Sequence, residues 1–301
     1  MTEPGARPGD ATGSANAHGY RERWLISRDN LRLYYREYGV VDGGRTAVLC
    51  LGGLTRNCKD FHELAIHLGA ERRVLCPDYR GRGRSQYDPD WRHYEPTTYL
   101  DDIHHLLTAT NTHRVFVIGT SMGGLLAMGL AVMTPMAVAG ALLNDIGPDL
   151  GAAGLSRILD YIGTDRPQAS WADAVAHLKE IMPAIGLKTE DAWLSLAHNT
   201  YREGDDGLLH FDWDVNLARP LRRAAPTPDL WPLFRALRGR PVAALRGAQS
   251  DVLSTETFAR MGREIPDLVR TEIPDVGHTP TLDEPEARAT LQRVLEQVEP
   301  A

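Results

Sequence analysis

The sequence predicts an α/β fold in which a mostly parallel sheet is flanked by helices and interrupted by one inserted helical segment. Two observations support this prediction. Short β-branched and aromatic runs alternate with helix-like runs over residues 46–143, and the alternation resumes near residue 230. Between about residues 148 and 229 it stops, and helix-like runs predominate. Repeated strand–helix units build a parallel sheet that is covered by helices on both faces.

The elements before residue 148 follow from apolar runs and their breaks. Residues 20–39 predict two antiparallel strands that turn at Asp29 and Asn30 and start the sheet at one edge. The later runs predict, in chain order, a strand at 46–51, a helix at 61–68, a strand at 73–78, a helix at 98–107, a strand at 114–118, a helix from Ser121 toward Pro135 and a strand at 138–143.

The second half of the chain predicts an insertion and then the end of the sheet. Helix-like runs at 155–162, 170–185 and 189–201 are followed by a polar turn, which we interpret as parts of a helical cap. Alternation resumes at 231–237, with strands at 241–245 and 269–273 and a final helix at 284–298. The predicted organisation is a flexible tail at 1–19, a core formed by 20–147 and 230–301, and a cap at 148–229.

The most informative stretch is residues 115–124, whose sequence is VFVIGTSMGG. An apolar strand passes through Gly119, Ser121 and Gly123 into an apolar helix. A serine hydroxyl is a poor nucleophile, so a hydrolase must hold it exposed, beside a base, on a tight turn. The helix N-terminus adds free N–H groups that favour negative charge. The pattern therefore predicts a nucleophile elbow at Ser121.

Two later loops carry the residue types that such a serine needs. Asp251 follows the strand at 241–245, and His278 follows the strand at 269–273. The order serine, aspartate, histidine, with each residue after one strand, favours these three as a catalytic set. Asp145 is an alternative acid because it ends the strand after the nucleophile strand. Its structural alternative is a cap for the first turn of the insertion.

These motifs resemble those of the α/β-hydrolase superfamily, and the resemblance extends over residues 20–298. The family's G-x-S-x-G-G pattern matches residues 119–124, its D-x-R-G-x-G-x-S turn matches 78–85, and its late acid and G-H motifs match Asp251 and residues 277–278. The resemblance implies an eight-stranded sheet. It also implies Ser121 as the nucleophile, His278 as the base, and Asp251 as the residue that fixes the imidazole tautomer.

An oxyanion hole is also implied by the resemblance. One donor is the backbone N–H of Met122, and the other comes from the loop after the strand at 46–51, where we assign Leu54. Gly52 stands where many relatives have histidine. This departure does not remove the donor, because any non-proline residue supplies a backbone N–H. For Arg56 and Asn57, just beyond this loop, a structural role is favoured over contact with a polar substrate group.

The leading functional hypothesis is hydrolysis of a carboxylic ester or lactone through an acyl-enzyme. Two alternatives stay open: a carbon–carbon bond hydrolase of a diketone-like ring-cleavage product, and a non-catalytic ligand-binding receptor or regulator. The predicted partner is a small-molecule ester or related acyl substrate. The tryptophans of the insertion at positions 171, 193 and 213 are assigned mainly to packing, with a minority lining the pocket.

Composition excludes several other functions. The formal net charge of −7 argues against a nucleic-acid surface, and no apolar run approaches membrane-spanning length. The cluster Arg80, Arg82 and Arg84 is interpreted as a polar turn after a strand.

Three cysteines, at positions 50, 58 and 76, lack metal-ligand spacing and predict reduced thiols in a cytoplasmic protein.

No cofactor or metal is expected. Asp101 and His105 stand at i and i+4 of a predicted helix, but a solvated helix face is favoured over a metal site. The glycines near residue 81 do not complete a dinucleotide-binding pattern, and no phosphate-binding loop motif is present.

Overall fold

The computed structural model describes residues 16–41, 44–182, 184–223 and 228–299. Its strands are β1 (Tyr20–Ile26), β2 (Arg32–Tyr38), β3 (Ala47–Leu51), β4 (Val74–Pro77), β5 (Val115–Thr120), β6 (Val138–Asn144), β7 (Tyr201–Glu203), β8 (Leu209–Phe211), β9 (Val242–Gly247) and β10 (Val269–Ile273). Its α-helices are α1 (His62–Gly69), α2 (Pro96–Ala109), α3 (Met122–Met133), α4 (Ala152–Ile162), α5 (Trp171–Ile181), α6 (Glu190–Thr200), α7 (Ala218–Arg223), α8 (Trp231–Arg235), α9 (Thr255–Glu264) and α10 (Pro285–Glu296).

Eight strands form one sheet in the order β1-β2-β4-β3-β5-β6-β9-β10. Strand β2 runs antiparallel to both of its neighbours, and the remaining pairs are parallel. The predicted eight-stranded, mostly parallel sheet is confirmed. The hairpin at its edge turns where predicted, with Asn30 at a φ of 69°. The carboxyl ends of the parallel strands meet at one edge, where the loops after β3, β5, β6, β9 and β10 lie.

The core has two layers because successive side chains of a strand point to opposite faces. In β5, Val115 and Val117 pack into one layer, whereas Phe116 and Ile118 pack into the other. All four side chains are fully buried. Strand β5 is therefore covered on both faces, as its unbroken apolar sequence requires.

The segment between β6 and α8 contains α4 to α7 and a small hairpin, β7–β8. The hairpin differs from the prediction, which continues a helix through Tyr201 and then expects only a polar turn. Helix α6 ends at Thr200, and Tyr201 pairs with Phe211 across the hairpin. The division of the chain into core and cap stays a prediction. Residues 1–15 of the predicted tail, and residues 183 and 224–227 of the predicted cap, lie outside the described residues.

Cys50, Cys58 and Cys76 are free and buried. Burial raises the pKa of the Cys58 and Cys76 thiols well above the usual range. They pack as small apolar side chains in the layer that contains Phe116. Among the described helices, none is long and apolar enough to cross a membrane. The cytoplasmic location stays a prediction.

Candidate active site

Ser121 lies on the turn that joins β5 to α3. Its backbone has φ 51° and ψ −119°, a conformation that few side chains adopt. The two glycines of the motif are required by close contacts. A Cβ at Gly119 would lie 2.5 Å from the Gly123 oxygen, and a Cβ at Gly123 would lie 2.0 Å from the Leu51 oxygen. The G-x-S-x-G sequence therefore folds here because only hydrogen fits on either side of the serine.

His278 lies in the loop after β10, and its imidazole connects the two other groups. His278 Nε2 is 2.9 Å from the Ser121 Oγ, and His278 Nδ1 is 2.7 Å from Asp145 Oδ2. The imidazole is largely buried, and the Asp145 side chain has no exposed surface. Ser121, His278 and Asp145 thus form a continuous hydrogen-bonded chain across three loops at the carboxyl edge of the sheet.

The structure contradicts the prediction that Asp251 is the partner of His278. Asp145, the alternative, holds that position. The Asp251 carboxylate instead forms a two-point ion pair with Arg157 of α4: Arg157 Nε donates to Oδ2 at 2.8 Å, and Nη2 donates to Oδ1 at 3.0 Å. Its hydrogen bonds with Arg157 hold the pKa of Asp251 below its usual value.

Asp145 is at this position because β6 lies beside β5 and ends next to the serine turn. The Ser121 N–H donates to the Asn144 oxygen at 3.0 Å, which fixes the two strand ends together. The buried carboxylate of Asp145 also accepts hydrogen bonds from the Gly247 N–H at 2.8 Å and from the Ser250 hydroxyl at 2.6 Å. A buried carboxylate needs such donors, because burial without them is costly.

The loop after β3 approaches the serine closely. A Cβ built on Gly53 would lie 3.7 Å from the Ser121 Cβ. The N–H groups of Leu54 and Met122, the two predicted oxyanion donors, bond no backbone or side-chain acceptor of the part of the chain that the structure describes. They are the kind of unused donors that an oxyanion hole requires, and their role stays a prediction.

The D-x-R-G-x-G-x-S turn holds this loop in place. The Tyr79 hydroxyl donates to the Gly52 oxygen at 3.2 Å, and Arg82 Nε donates to the Leu54 oxygen at 2.8 Å. The Arg82 guanidinium is buried against Tyr99, 4.6 Å from the ring centroid. The prediction of a structural turn did not assign Arg82 to the oxyanion loop. Arg82 occupies a variable position of this motif, which gives no signal for its contact with the Leu54 oxygen.

Other residues of this turn are also structural. Arg80 is buried and forms ion pairs with Asp29, Asp88 and Asp102. Asp78 accepts hydrogen bonds from the N–H groups of Cys58 and Arg84 at 2.7 and 2.9 Å. Burial raises the pKa of the Asp78 carboxyl despite these donors.

A cavity of about 410 Å³ opens onto Ser121 and His278. The loop after β3 lines one side, and α4, α6 and the α5–α6 loop line another. The apolar lining includes Leu54, Ile158, Tyr161, Met182, Ile185, Leu187 and Leu196. Charged side chains, Arg56 and Arg157 among them, also border it. Such a cavity can hold a small acyl compound with both apolar and polar parts.

The three tryptophans of the insertion lie away from this cavity, which agrees with the packing role that the sequence mainly assigns to them and not with the minority expected to line the pocket. Within the described residues, Trp171, Trp193 and Trp213 are absent from the lining of this cavity. Trp193 and Trp213 are buried in the core, and the Trp213 indole donates to the Ile162 oxygen at 3.1 Å. Trp171 packs on His198, with the ring centroids 3.9 Å apart. Tyr161 and aliphatic side chains form the apolar lining instead.

Arg56 and Asn57 connect the loop after β3 to α6. Arg56 binds both carboxylate oxygens of Asp60 at 2.6 Å and donates to the Thr200 hydroxyl at 2.6 Å. Asn57 is buried and donates to the Asn199 oxygen at 2.9 Å. The contacts of Asn57 agree with the structural role that the sequence favours. Arg56 has structural contacts and also borders the cavity.

Comparisons with known proteins identify the family of this chain. A sequence model described as the alpha/beta hydrolase family matches residues 48–291. The chain is 38% identical over 265 residues to a 3-hydroxybutyrate-oligomer hydrolase of Cupriavidus necator, covering 84% of this chain and 89% of that protein. It is 27% identical over 237 residues to a 2-(acetamidomethylene)succinate hydrolase of Mesorhizobium japonicum, covering 78% and 82%.

A solved structure is also similar. The crystal structure of an alpha/beta hydrolase from Novosphingobium aromaticivorans superposes with a TM-score of 0.88 at 42% identity, covering 95% of this chain and 100% of that one. The family model and the Cupriavidus necator relative define a hydrolase, as the sequence predicts. The chain belongs to the α/β-hydrolase family.

Proposed function

We propose that this enzyme hydrolyses carboxylic esters through an acyl-enzyme formed on Ser121. The observation that carries the proposal is the hydrogen-bonded chain from the Ser121 Oγ through His278 to Asp145, at 2.9 and 2.7 Å. A base within hydrogen-bond reach of a serine, itself oriented by a carboxylate, is the arrangement that activates a hydroxyl for attack on a carbonyl.

In the proposed reaction, His278 Nε2 takes the proton of the Ser121 hydroxyl as the oxygen attacks the ester carbonyl carbon. Asp145 holds the Nδ1–H tautomer and stabilises the imidazolium that forms. The N–H groups of Leu54 and Met122 donate to the developing oxyanion. His278 then gives the proton to the leaving alcohol. Water attacks the acyl-enzyme with His278 as its base, which releases the acid and regenerates Ser121.

The substrate class that we propose is short oligoesters of 3-hydroxybutyrate and esters of similar size. The relative from Cupriavidus necator, which this chain matches over most of both lengths, is named for that substrate. The cavity supports the assignment, because its apolar side chains suit the short hydrocarbon parts and its charged border suits a free carboxylate. We further propose that residues 148–229 act as the cap over this cavity, since α4 and α6 supply much of its wall.

The test is a time course with linear 3-hydroxybutyrate dimer and trimer, and with nitrophenyl acetate, butyrate and octanoate, on the wild type and Ser121→Ala. We expect wild-type turnover and a loss of about 10³-fold or more in the variant. Ser254→Ala is the control, because Ser254 caps α9 away from the cavity. Turnover that survives in Ser121→Ala would overturn the assignment of the nucleophile.

A vinylogous diketone belongs in the same panel. Hydrolysis of that compound with no ester turnover would favour the carbon–carbon bond hydrolase that the sequence leaves open. Tight binding of the panel compounds with negligible turnover of all of them would favour the receptor. Ester turnover that requires Ser121 supports the proposed function against both.

A further inference from the structure

Two donors converge on one oxygen of Asp145. The Ser250 hydroxyl lies 2.6 Å from Asp145 Oδ2, and His278 Nδ1 lies 2.7 Å from the same atom. The other carboxylate oxygen, Oδ1, accepts from the Gly247 N–H at 2.8 Å. Asp145 therefore has a contact on each oxygen from the end of β9 or the turn that follows it, in addition to its contact with the imidazole.

The direction of the Ser250 hydroxyl hydrogen follows from its other contacts. The Ser250 Oγ accepts hydrogen bonds from the Val252 and Leu253 N–H groups at 3.2 and 3.1 Å. A hydroxyl has two acceptor lone pairs and one hydrogen. With both acceptor positions used by backbone donors, the hydrogen is left for the Asp145 carboxylate, which can only accept when ionised.

The same turn also supports the loop that carries the histidine. The Gln249 N–H donates to the Val276 oxygen at 2.9 Å, two residues before His278. A Cβ at Gly247 would lie 2.4 Å from the Gly277 oxygen, so the two loops are packed in direct contact. The turn at 247–250 is thus a common support for the acid and for the base.

We infer that Ser250 is a positioning residue for catalysis: its hydroxyl fixes the Asp145 carboxylate in the orientation that receives His278 Nδ1–H. This inference rests on the proposed function, because it assigns a role in that reaction. Hydrogen bonds to an ionised group are stronger than neutral ones and hold geometry better. Ser250 adjoins Asp251 in the sequence, so the turn that was predicted to supply the acid supplies its support instead.

Charged groups facing His278 come from two sides. Asp145 contacts it from the end of β6, and Asp251, paired with Arg157 of α4, acts on it at longer range from the turn after β9. Substituting the neutral Ser250 leaves all of these charges in place. A change in the pH dependence of activity in such a variant therefore reports on the hydrogen bond to Asp145.

The experiment compares Ser250→Ala with Ser250→Thr and with Ser254→Ala. Threonine retains the hydroxyl. Ser254→Ala removes a nearby hydroxyl that also caps a backbone N–H, that of Thr257 at 3.0 Å, but does not touch Asp145. The measurements are kcat and KM for the best ester, the pH profile of kcat/KM, the labelling rate of Ser121 by a fluorophosphonate, and the thermal midpoint.

For Ser250→Ala we expect kcat to fall about 10-fold to 100-fold with little change in KM, since a lost charge-assisted hydrogen bond has this order of effect. The rising limb of kcat/KM should move to higher pH, because a carboxylate with one donor fewer attracts the imidazolium more strongly. Ser250→Thr should restore most of the rate, and Ser254→Ala should leave it unchanged. The labelling rate should fall in parallel with kcat.

Unchanged kcat and pH profile in a folded Ser250→Ala variant would overturn the inference while leaving the esterase proposal standing. An equal loss in Ser254→Ala would also overturn it, because the effect would then come from general loosening of the loop. If the wild type turns over no ester, the proposed function fails, and the labelling rate still decides the role of Ser250. A wild-type protein that neither hydrolyses an ester nor is labelled at Ser121 would overturn both the proposed function and the role of Ser250.

Discussion

Glycine at position 123 is required by the path of the chain around Ser121. Gly123→Ala would place its Cβ 2.0 Å from the Leu51 oxygen, a backbone atom that cannot move without shifting β3. We expect the variant to lose about 1–3 kcal/mol of unfolding free energy, as overpacked interiors do, together with most of its hydrolase activity. Denaturant unfolding followed by circular dichroism measures the loss of unfolding free energy.

Gly52→Ala is the matched control for stability, because its Cβ would meet Arg56 Cβ at an ordinary 3.5 Å. Equal stabilities of the Gly123→Ala and wild-type proteins would contradict the contact described at the serine turn.

Asp145 and Asp251 are distinguished by substitution with asparagine. We expect Asp145→Asn to lower kcat by about 10³-fold to 10⁴-fold, because the amide stabilises the wrong imidazole tautomer. Asp251→Asn should cost less than about tenfold, since the carboxylate bonds Arg157 and stands away from the hydrogen-bonded chain. Steady-state kinetics with a nitrophenyl ester provide the comparison. The opposite ranking would restore Asp251 as the acid.

The sequence could place the acid on a loop at the correct edge but could not choose between the two candidates. Strands β6 and β9 are neighbours in the sheet, so the loops that follow them emerge side by side near His278. Both aspartates satisfy the pattern of an acid after a strand. The choice depends on the 2.7 Å contact with His278 Nδ1 and on the capture of Asp251 by Arg157, which are tertiary contacts without a local signature.

At the level of elements, the Arg157–Asp251 ion pair is one of the contacts that join α4 to the turn after β9. The folded-state pKa of Asp251 is lowered by Arg157. The pair therefore stabilises the fold above the ordinary pKa of an aspartate, and this contribution is lost as pH falls below about 4.

Arg157→Gln should consequently lower the unfolding free energy by about 0.2–1 kcal/mol at pH 7, because both partners are partly exposed. The difference from the wild type should shrink toward pH 3. Urea unfolding at pH 7 and at pH 3 measures this difference in unfolding free energy. Arg45→Gln is the control, because it removes an exposed ion pair, that with Glu71. A difference that grows as the pH falls would contradict the assigned direction of the pKa shift.

Elements with long apolar patterns could be predicted, whereas those with short patterns could not. Helix α3 and strand β5 are apolar throughout, and their prediction is confirmed. Helix α9 was not predicted, although Ser254 is a capping residue and Phe258 and Met261 lie on its buried face. The other residues of α9 are mostly polar, so its apolar pattern is too short to predict a helix. The β7–β8 hairpin has only three residues in each strand, too few for a period of two to be distinguished.

For the whole molecule, a polar network joins the hairpin end of the 148–229 segment to the loop after β3. The buried Asp212 carboxylate accepts from Lys59 Nζ at 2.9 Å and from Asn57 Nδ2 at 3.2 Å. Lys59 Nζ also donates to the His198 oxygen at 2.8 Å. Such a network links the segment to the sheet through several bonds at once, so we expect both to unfold in one transition.

We expect Asp212→Ala to separate the unfolding of the 148–229 segment from the unfolding of the sheet. The variant leaves the Asn57 amide and the Lys59 ammonium with fewer partners, at a cost of about 1–3 kcal/mol. Tryptophan fluorescence, to which residues 171, 193 and 213 of the segment contribute, should change at lower denaturant than far-ultraviolet circular dichroism. In the wild type the two curves should coincide. Asp205→Ala, at an exposed neighbouring position, is the control. Coincident curves in Asp212→Ala would show that other contacts suffice to couple the two parts.

The three buried thiols have a practical consequence for fluorescent labelling of this enzyme. Because Cys50, Cys58 and Cys76 are inaccessible, and burial keeps Cys58 and Cys76 protonated, native protein should react with maleimides far more slowly than unfolded protein does. A cysteine introduced at the exposed Leu194 of α6 and another at the exposed Met136 could then carry a fluorescent dye pair against a silent native background. Energy transfer between the dyes would report, in single molecules and without removing any native cysteine, whether α6 moves as an ester enters and its products leave.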